Sequence, residues 1–76
     1  MNIVILGAGR VGETVAESLL SERNDITLID SDPQRLRALQ ERMDLRTVIG
    51  NGIQPTVLEE AGIRDADMFI ACAPLD

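Results

Sequence analysis

In this 76-residue chain, the run Gly7-Ala8-Gly9-Arg10-Val11-Gly12 has the residue types and spacing to carry chemistry. It reads G-x-G-x-x-G. The first glycine permits a tight turn, the second lets the backbone come close to a pyrophosphate, and the third lets a helix pack against the strand before it. A helix that opens directly from such a loop offers unpaired N–H groups and a partial positive charge to phosphate. Glycine-rich turns are common, so the motif counts only where a strand precedes it and a helix follows. Asp30 adds a second element. It lies 23 positions beyond Gly7 and 18 beyond Gly12, near the offset of about 20 at which a carboxylate accepts hydrogen bonds from ribose hydroxyls. A carboxylate there repels a 2′-phosphate and so favours NAD over NADP. The bland alternatives are a glycine turn without a ligand and a solvated carboxylate in a turn.

Several neighbours carry weaker signals. Arg10, inside the loop, either reaches a phosphate as a charged donor or stands in solvent. Gly50-Asn51-Gly52 falls after the third apolar run, where adenine is expected. Asn51 either reads the base through its amide or belongs to a turn formed for backbone reasons. Ala73-Pro74, at the exit of the fourth run, is placed to touch the middle of the ligand through its backbone. Asp32, directly before Pro33, reads as a helix cap, and Cys72 reads as a small buried hydrophobe.

The elements needed to position these residues are visible as alternating patterns. Asn2-Ile3-Val4-Ile5-Leu6 is a continuous β-branched run, the mark of a strand buried on both faces of a parallel sheet. From Val11 to about Glu22, the apolar residues Val11, Val15, Ala16, Leu19 and Leu20 keep helical spacing, with Glu13, Glu17 and Glu22 turned away. Ile26 to Ile29 forms a second strand ending in Asp30. Pro33 opens a helix with Leu36, Leu39 and Met43 as its buried stripe. Leu45 to Ile49 is a third strand. A short helix from about Pro55 turns Val57, Leu58 and Ala61 inward and ends at Gly62. Asp65-Ala66-Asp67 is a turn, and Met68 to Cys72 is the fourth strand. Alternation of this kind predicts an α/β, Rossmann-like parallel sheet in order 3-2-1-4 with flanking helices. A whole doubly wound domain has about six strands, so the chain reads as a single NAD-binding domain over residues 1–76, truncated after its fourth strand.

Composition narrows the function. The net charge is −6, all seven basic residues are arginines, and Phe69 is the one aromatic residue. Nucleic-acid binding needs a basic face or stacking platforms, so it is not expected. The chain has no lysine, histidine or tyrosine, which removes the usual acids, bases and Schiff-base nucleophiles. A binding module is therefore expected rather than an enzyme, with no catalytic residue and no metal site. Such a module works by shifting a conformational equilibrium. The competing expectation is a cofactor-binding fragment of an NAD-dependent dehydrogenase. The single cysteine fits a reducing setting. No apolar run approaches the roughly 18 residues of a membrane span.

The order Ile-Leu-Gly-Ala-Gly-Arg-Val-Gly, then Leu28-Ile29-Asp30, resembles the N-terminal (RCK or KTN) domain of the TrkA-type regulators of potassium uptake. So do Gly50-Asn51-Gly52, Leu58-Glu59-Glu60-Ala61-Gly62-Ile63 and Asp65-Ala66-Asp67-Met68-Phe69-Ile70-Ala71. The glycine motif is shared with many dehydrogenases; the segment before the fourth strand is far more specific. The resemblance implies a cytoplasmic, nucleotide-binding regulatory subunit that gates a membrane potassium-translocating subunit. It also implies a homo-oligomer held at the inner face of the membrane through that partner, without insertion. The implied cofactor is NAD or NADH, with ATP or ADP as alternatives. Carried over by position, the contacts are Gly7, Ala8, Gly9, Arg10 and Val11, then Asp30, Gly50, Asn51, Gly52, Ala73 and Pro74. Two positions depart from the family pattern. Asn51 stands where Asp is frequent, and Ala73 stands where a small hydroxyl residue is frequent, leaving only backbone contact there.

Overall fold

The computed structural model describes residues 1–52 and 54–72. Four strands, β1 (Asn2–Leu6), β2 (Asp25–Asp30), β3 (Arg46–Ile49) and β4 (Met68–Ala71), alternate with three helices: α1 (Arg10–Leu20), α2 (Pro33–Arg42) and α3 (Pro55–Glu60). A 3-10 turn, Ile63–Asp65, precedes β4. The sheet is wholly parallel in the order β3-β2-β1-β4, as the alternating pattern predicts. Ile5 aligns with Leu28 on one side and Ile70 on the other.

The unbroken apolar run of β1 is explained by its two covered faces. Ile3 and Ile5 join Ala16, Leu28, Leu36 and Leu39 in a core under α1 and α2. Val4 points the other way and packs with Ile29, Val57 and Ala61 under α3, with Leu6 at the margin of the same cluster. Such two-sided burial is what a central parallel strand requires. Ile3, Ile5, Leu28, Ile29 and Leu36 are the largest fully buried side chains. At about 25 cal/mol per Å² of apolar surface removed from water, side chains of this kind hold the sheet to its helices.

The helix boundaries follow local chemistry. Asp32 caps α2 as expected: its Oδ1 accepts from Gln34 N at 3.0 Å and Arg35 N at 3.4 Å, and Pro33 takes the first helical position. Gly62 adopts φ 81°, the left-handed turn that ends α3. In α1 the buried positions include Gly12 and Ala16, whereas Val11 is 62 % exposed. Val11 is expected in the apolar stripe, but α1 starts one residue earlier, at Arg10, and its first turn buries Gly12 in place of Val11. At 65–67 the expected turn includes a tie to β1. Asp67 N donates to Asn2 O at 2.7 Å, and Asn2 N donates to Asp67 Oδ2 at 2.8 Å. No helix among the described residues is long and apolar enough to cross a membrane.

Candidate functional site

The candidate residues gather along the carboxyl edge of the sheet because each strand's ladder runs one step past its end. Gly50 N donates to Asp30 O at 3.0 Å, Gly7 N to Ile29 O at 2.8 Å, and Cys72 N to Leu6 O at 2.7 Å. The strand order therefore sets Gly50, Asp30, Gly7 and Cys72 side by side. Between β1 and β4 the direction of winding reverses, and open α/β sheets take their ligands at the carboxyl ends beside that point.

Residues 7–12 form the strand-to-helix turn that the motif calls for. Gly7 has φ 108°, which an L side chain rarely adopts, and it turns the chain from β1 toward α1. A Cβ at Gly12 would overlap the Gly7 carbonyl oxygen and lie 2.9 Å from its carbon. Only glycine lets α1 sit this close to β1. Gly9 is different. It is extended, with φ −75° and ψ −168°, and a Cβ there meets nothing within 4 Å. The motif thus holds one glycine for backbone conformation, one for close packing, and one whose missing side chain leaves the loop's outer surface open.

Asp30 is tied to this loop by two short hydrogen bonds. Its Oδ2 accepts from Ala8 N at 2.7 Å and its Oδ1 from Asp32 N at 2.8 Å. The carboxylate therefore stands beside the start of α1 and keeps lone pairs for further donors, since an ionised carboxylate offers about four acceptor sites. The bond also commits the Ala8 N–H to the protein, while the Ala8 side chain is buried at 5 % exposure. Within α1 the first i→i−4 bond runs from Glu13 N to Gly9 O, at 2.9 Å. The amides of Arg10, Val11 and Gly12 precede it and have no partner within the helix, as at any helix start. Unlike these amides, that of Ala8 is already bonded to a side chain. Arg10 is exposed, and among the described residues its guanidinium has no hydrogen-bond or ion-pair partner.

The loop after β3 is largely shaped by packing. A Cβ on Gly50 would meet Val57 Cγ2 at 2.7 Å, and one on Gly52 would press into the Leu6 side chain. Asn51 is exposed, and its carbonyl accepts from Gln54 N at 3.0 Å. Ala73 and Pro74 lie outside the described residues. Sequence reasoning missed Ile49, which pairs in register with Asp30 and is 59 % exposed. The available signal was its place as the last residue of a strand directly before Gly50. Val11, at the start of α1, is likewise an exposed apolar side chain. Cys72 is half-buried and packs against the core under α1.

A cavity of about 390 Å³ lies at the opposite, amino edge, among Asn2, Asp25, Thr27, Arg46 and Gly62. It includes neither Asp30 nor any residue of 7–12, so it is separate from this edge. No group of three or more His, Cys, Asp or Glu side chains that could hold a metal is found among the described residues.

The TrkA-N domain family model matches residues 3–76. The Trk system potassium uptake protein TrkA of Halomonas elongata is 57 % identical over all 76 residues, which make up 17 % of that protein. The protein of the same name from Vibrio alginolyticus is 54 % identical over the same span, again 17 % of its length. A TrkA homolog from Methanothermobacter thermautotrophicus is 40 % identical, with this chain covering 35 % of it. Among solved structures, the TrkA-N domain of the inner membrane protein ybaL from Escherichia coli superposes with a TM-score of 0.84 at 28 % identity, covering 92 % of this chain and 51 % of that one. A Shewanella denitrificans Kef CTD in AMP-bound form gives a TM-score of 0.86 at 24 % identity, over 99 % of this chain and 44 % of that one; it supports the fold alone. The chain thus spans about one sixth of the first relatives it matches. On the strength of the family match across its length and these identities, the chain belongs to the TrkA-N domain family.

Proposed function

We propose that residues 1–76 form one nucleotide-binding unit of a Trk-type potassium uptake regulator. In this reading the carboxyl edge of the sheet takes NAD or NADH, or else ATP or ADP. The diphosphate lies over the amides of Arg10 and Val11, Gly9 gives it room to approach, and Arg10 adds a charged donor. The ribose hydroxyls donate to Asp30. Adenine lies against the Gly50, Asn51 and Gly52 loop and the exposed Ile49, while Gly7, Ala8 and Gly12 hold the frame. Ala73 and Pro74 contribute backbone contacts. The observation that carries the proposal is the Asp30–Ala8 hydrogen bond, because it holds a carboxylate with spare acceptor capacity beside an open helix start.

The relatives are named as potassium uptake proteins, which supports a regulatory role over a catalytic one. They lend nothing to the dehydrogenase alternative. The unit binds nucleotide in the cytoplasm, assembles as a homo-oligomer, and acts on a membrane potassium-translocating subunit that it meets without entering the bilayer itself. Ligand binding biases one conformational state over another, and that bias is the regulatory output.

Isothermal calorimetry with NADH, NAD, ATP and ADP tests the proposal. Binding of at least one of them, weakened about tenfold or more by Asp30→Ala through loss of charge-assisted hydrogen bonds, is the expected result. Absence of binding by any of the four overturns it. Turnover of NADH with a small carbonyl compound would overturn the regulatory reading in favour of an enzyme.

A further inference from the structure

Glu13 is the one acidic residue in the first turn of α1. Four residues past Gly9, it stands about 6 Å along the axis from the helix start, at 1.5 Å per residue. That is within a Debye length of about 10 Å at 0.1 M salt. A bare carboxylate there opposes an anionic ligand and offsets part of the helix-start charge that would attract it. The chain places a cation on it from another element. Arg42, in the last turn of α2, donates through Nη2 to Glu13 Oε1, and its Nη1 lies 3.9 Å from Glu17 Oε1. Both partners are partly exposed, with side chains at 52 % and 32 %. As a surface pair it adds little to stability.

From this geometry we infer that Arg42 is an affinity-determining residue for the phosphate moiety of the ligand, acting through Glu13 and not by touching the ligand. It neutralises the one carboxylate in the first turn of α1, so that a domain of net charge −6 still shows a locally cationic helix start to a diphosphate. The inference rests on the proposed nucleotide site and assigns a positioning role outside the glycine motif. Arg42 also counters Glu17, so the field at the start of α1 depends on a contact between two helices.

The test measures ADP and adenosine affinity for the wild-type chain, Arg42→Gln, Glu13→Gln and the double variant, at about 20 mM and 300 mM salt. At low salt Arg42→Gln should weaken ADP binding about two- to fivefold, the size of effect that one unscreened charge at this range produces. The loss should shrink at high salt. Glu13→Gln and the double variant should bind ADP at least as well as wild type. Adenosine, which carries no phosphate, should bind all four proteins equally. An Arg42→Gln chain with unchanged ADP affinity overturns the inference. So does an equal loss for adenosine and ADP, which would indicate a structural role, or a double variant as weak as Arg42→Gln. A wild-type chain that binds neither ligand overturns the underlying nucleotide site as well, and so is told apart from failure of the Arg42 role alone.

Discussion

Gly9 and Gly12 belong to one motif yet should fail in opposite ways when each is replaced by alanine. At Gly12 the added methyl would overlap the Gly7 carbonyl oxygen, and the neighbouring carbonyl carbon lies 2.9 Å away. Backbone cannot rotate aside as a flexible side chain can, so α1 must move off β1. Overpacking costs about 1–3 kcal/mol, and the rigid neighbour places this case near about 3 kcal/mol. At about 4–8 °C per kcal/mol for a domain of this size, Gly12→Ala should lower Tm by about 12–24 °C. At Gly9 the methyl enters open space on an already extended residue. The poorer helix-capping preference of alanine costs about 0.5–1 kcal/mol, and the reduced freedom of the unfolded chain returns about 0.4–1 kcal/mol. Net stability should therefore stay within about 0.5 kcal/mol of wild type. In the proposed site the same methyl stands in the way of a phosphate approaching the Arg10 and Val11 amides, so NADH or ADP affinity should fall about tenfold or more, about 1.4 kcal/mol. Urea unfolding followed by circular dichroism and calorimetric titration read the two quantities separately. Comparable destabilisation by both variants, or full ligand affinity in Gly9→Ala, would refute the assignment of separate roles.

Three further substitutions separate the site from the scaffold. Asp30→Asn keeps the shape but replaces an acceptor-only group that holds two backbone N–H donors at 2.7 and 2.8 Å; it should cost about 1–3 kcal/mol in urea unfolding and weaken nucleotide binding as well. Asp32→Ala removes the α2 cap and should cost about 1 kcal/mol, with ligand affinity unchanged by calorimetry. Arg10→Ala, at an exposed position without a side-chain partner among the described residues, should leave Tm unchanged while weakening ADP binding about three- to tenfold through loss of a charged donor; equal affinity would remove Arg10 from the site.

The sheet order and all four strands were legible because each strand is rich in β-branched and apolar residues and bounded by turn chemistry, and the helices between them dictate parallel crossovers. The geometry of the candidate site was legible at Gly7, Gly12 and Asp30, where one residue type answers one geometric demand. It was less legible where a residue serves two neighbours at once. The family resemblance carries Ala8 over as a ligand contact, and the structure adds that its N–H is already bonded to Asp30. No spacing rule reveals that a donor is already used. Gly50 and Gly52 suggested a base-binding turn, and their positions are set in part by Val57 and Leu6, which only the packed structure brings near. Ile49 was hidden because a strand's apolar alternation does not say which member projects past the edge. Met68 and Phe69 show the reverse limit. Their pattern suits a strand covered on both faces, yet each is 42 % exposed, since β4 pairs with β1 alone among the described residues.

The anion preference assigned to an acidic chain follows from the difference in range between two effects. The net charge of −6 acts over the whole surface and is screened beyond about 8 Å at physiological salt. In the proposed site the amides of Arg10 and Val11 act at hydrogen-bond distance, where screening has little hold. Long-range repulsion therefore slows encounter, while the short-range donors govern dissociation. Added salt should raise the association rate for ADP and leave the dissociation rate of wild type nearly constant, a pattern that stopped-flow measurements can read. A basic-patch mechanism gives the opposite sign, with association slowing as salt rises. Observation of that sign would move the recognition from the helix start to the arginines.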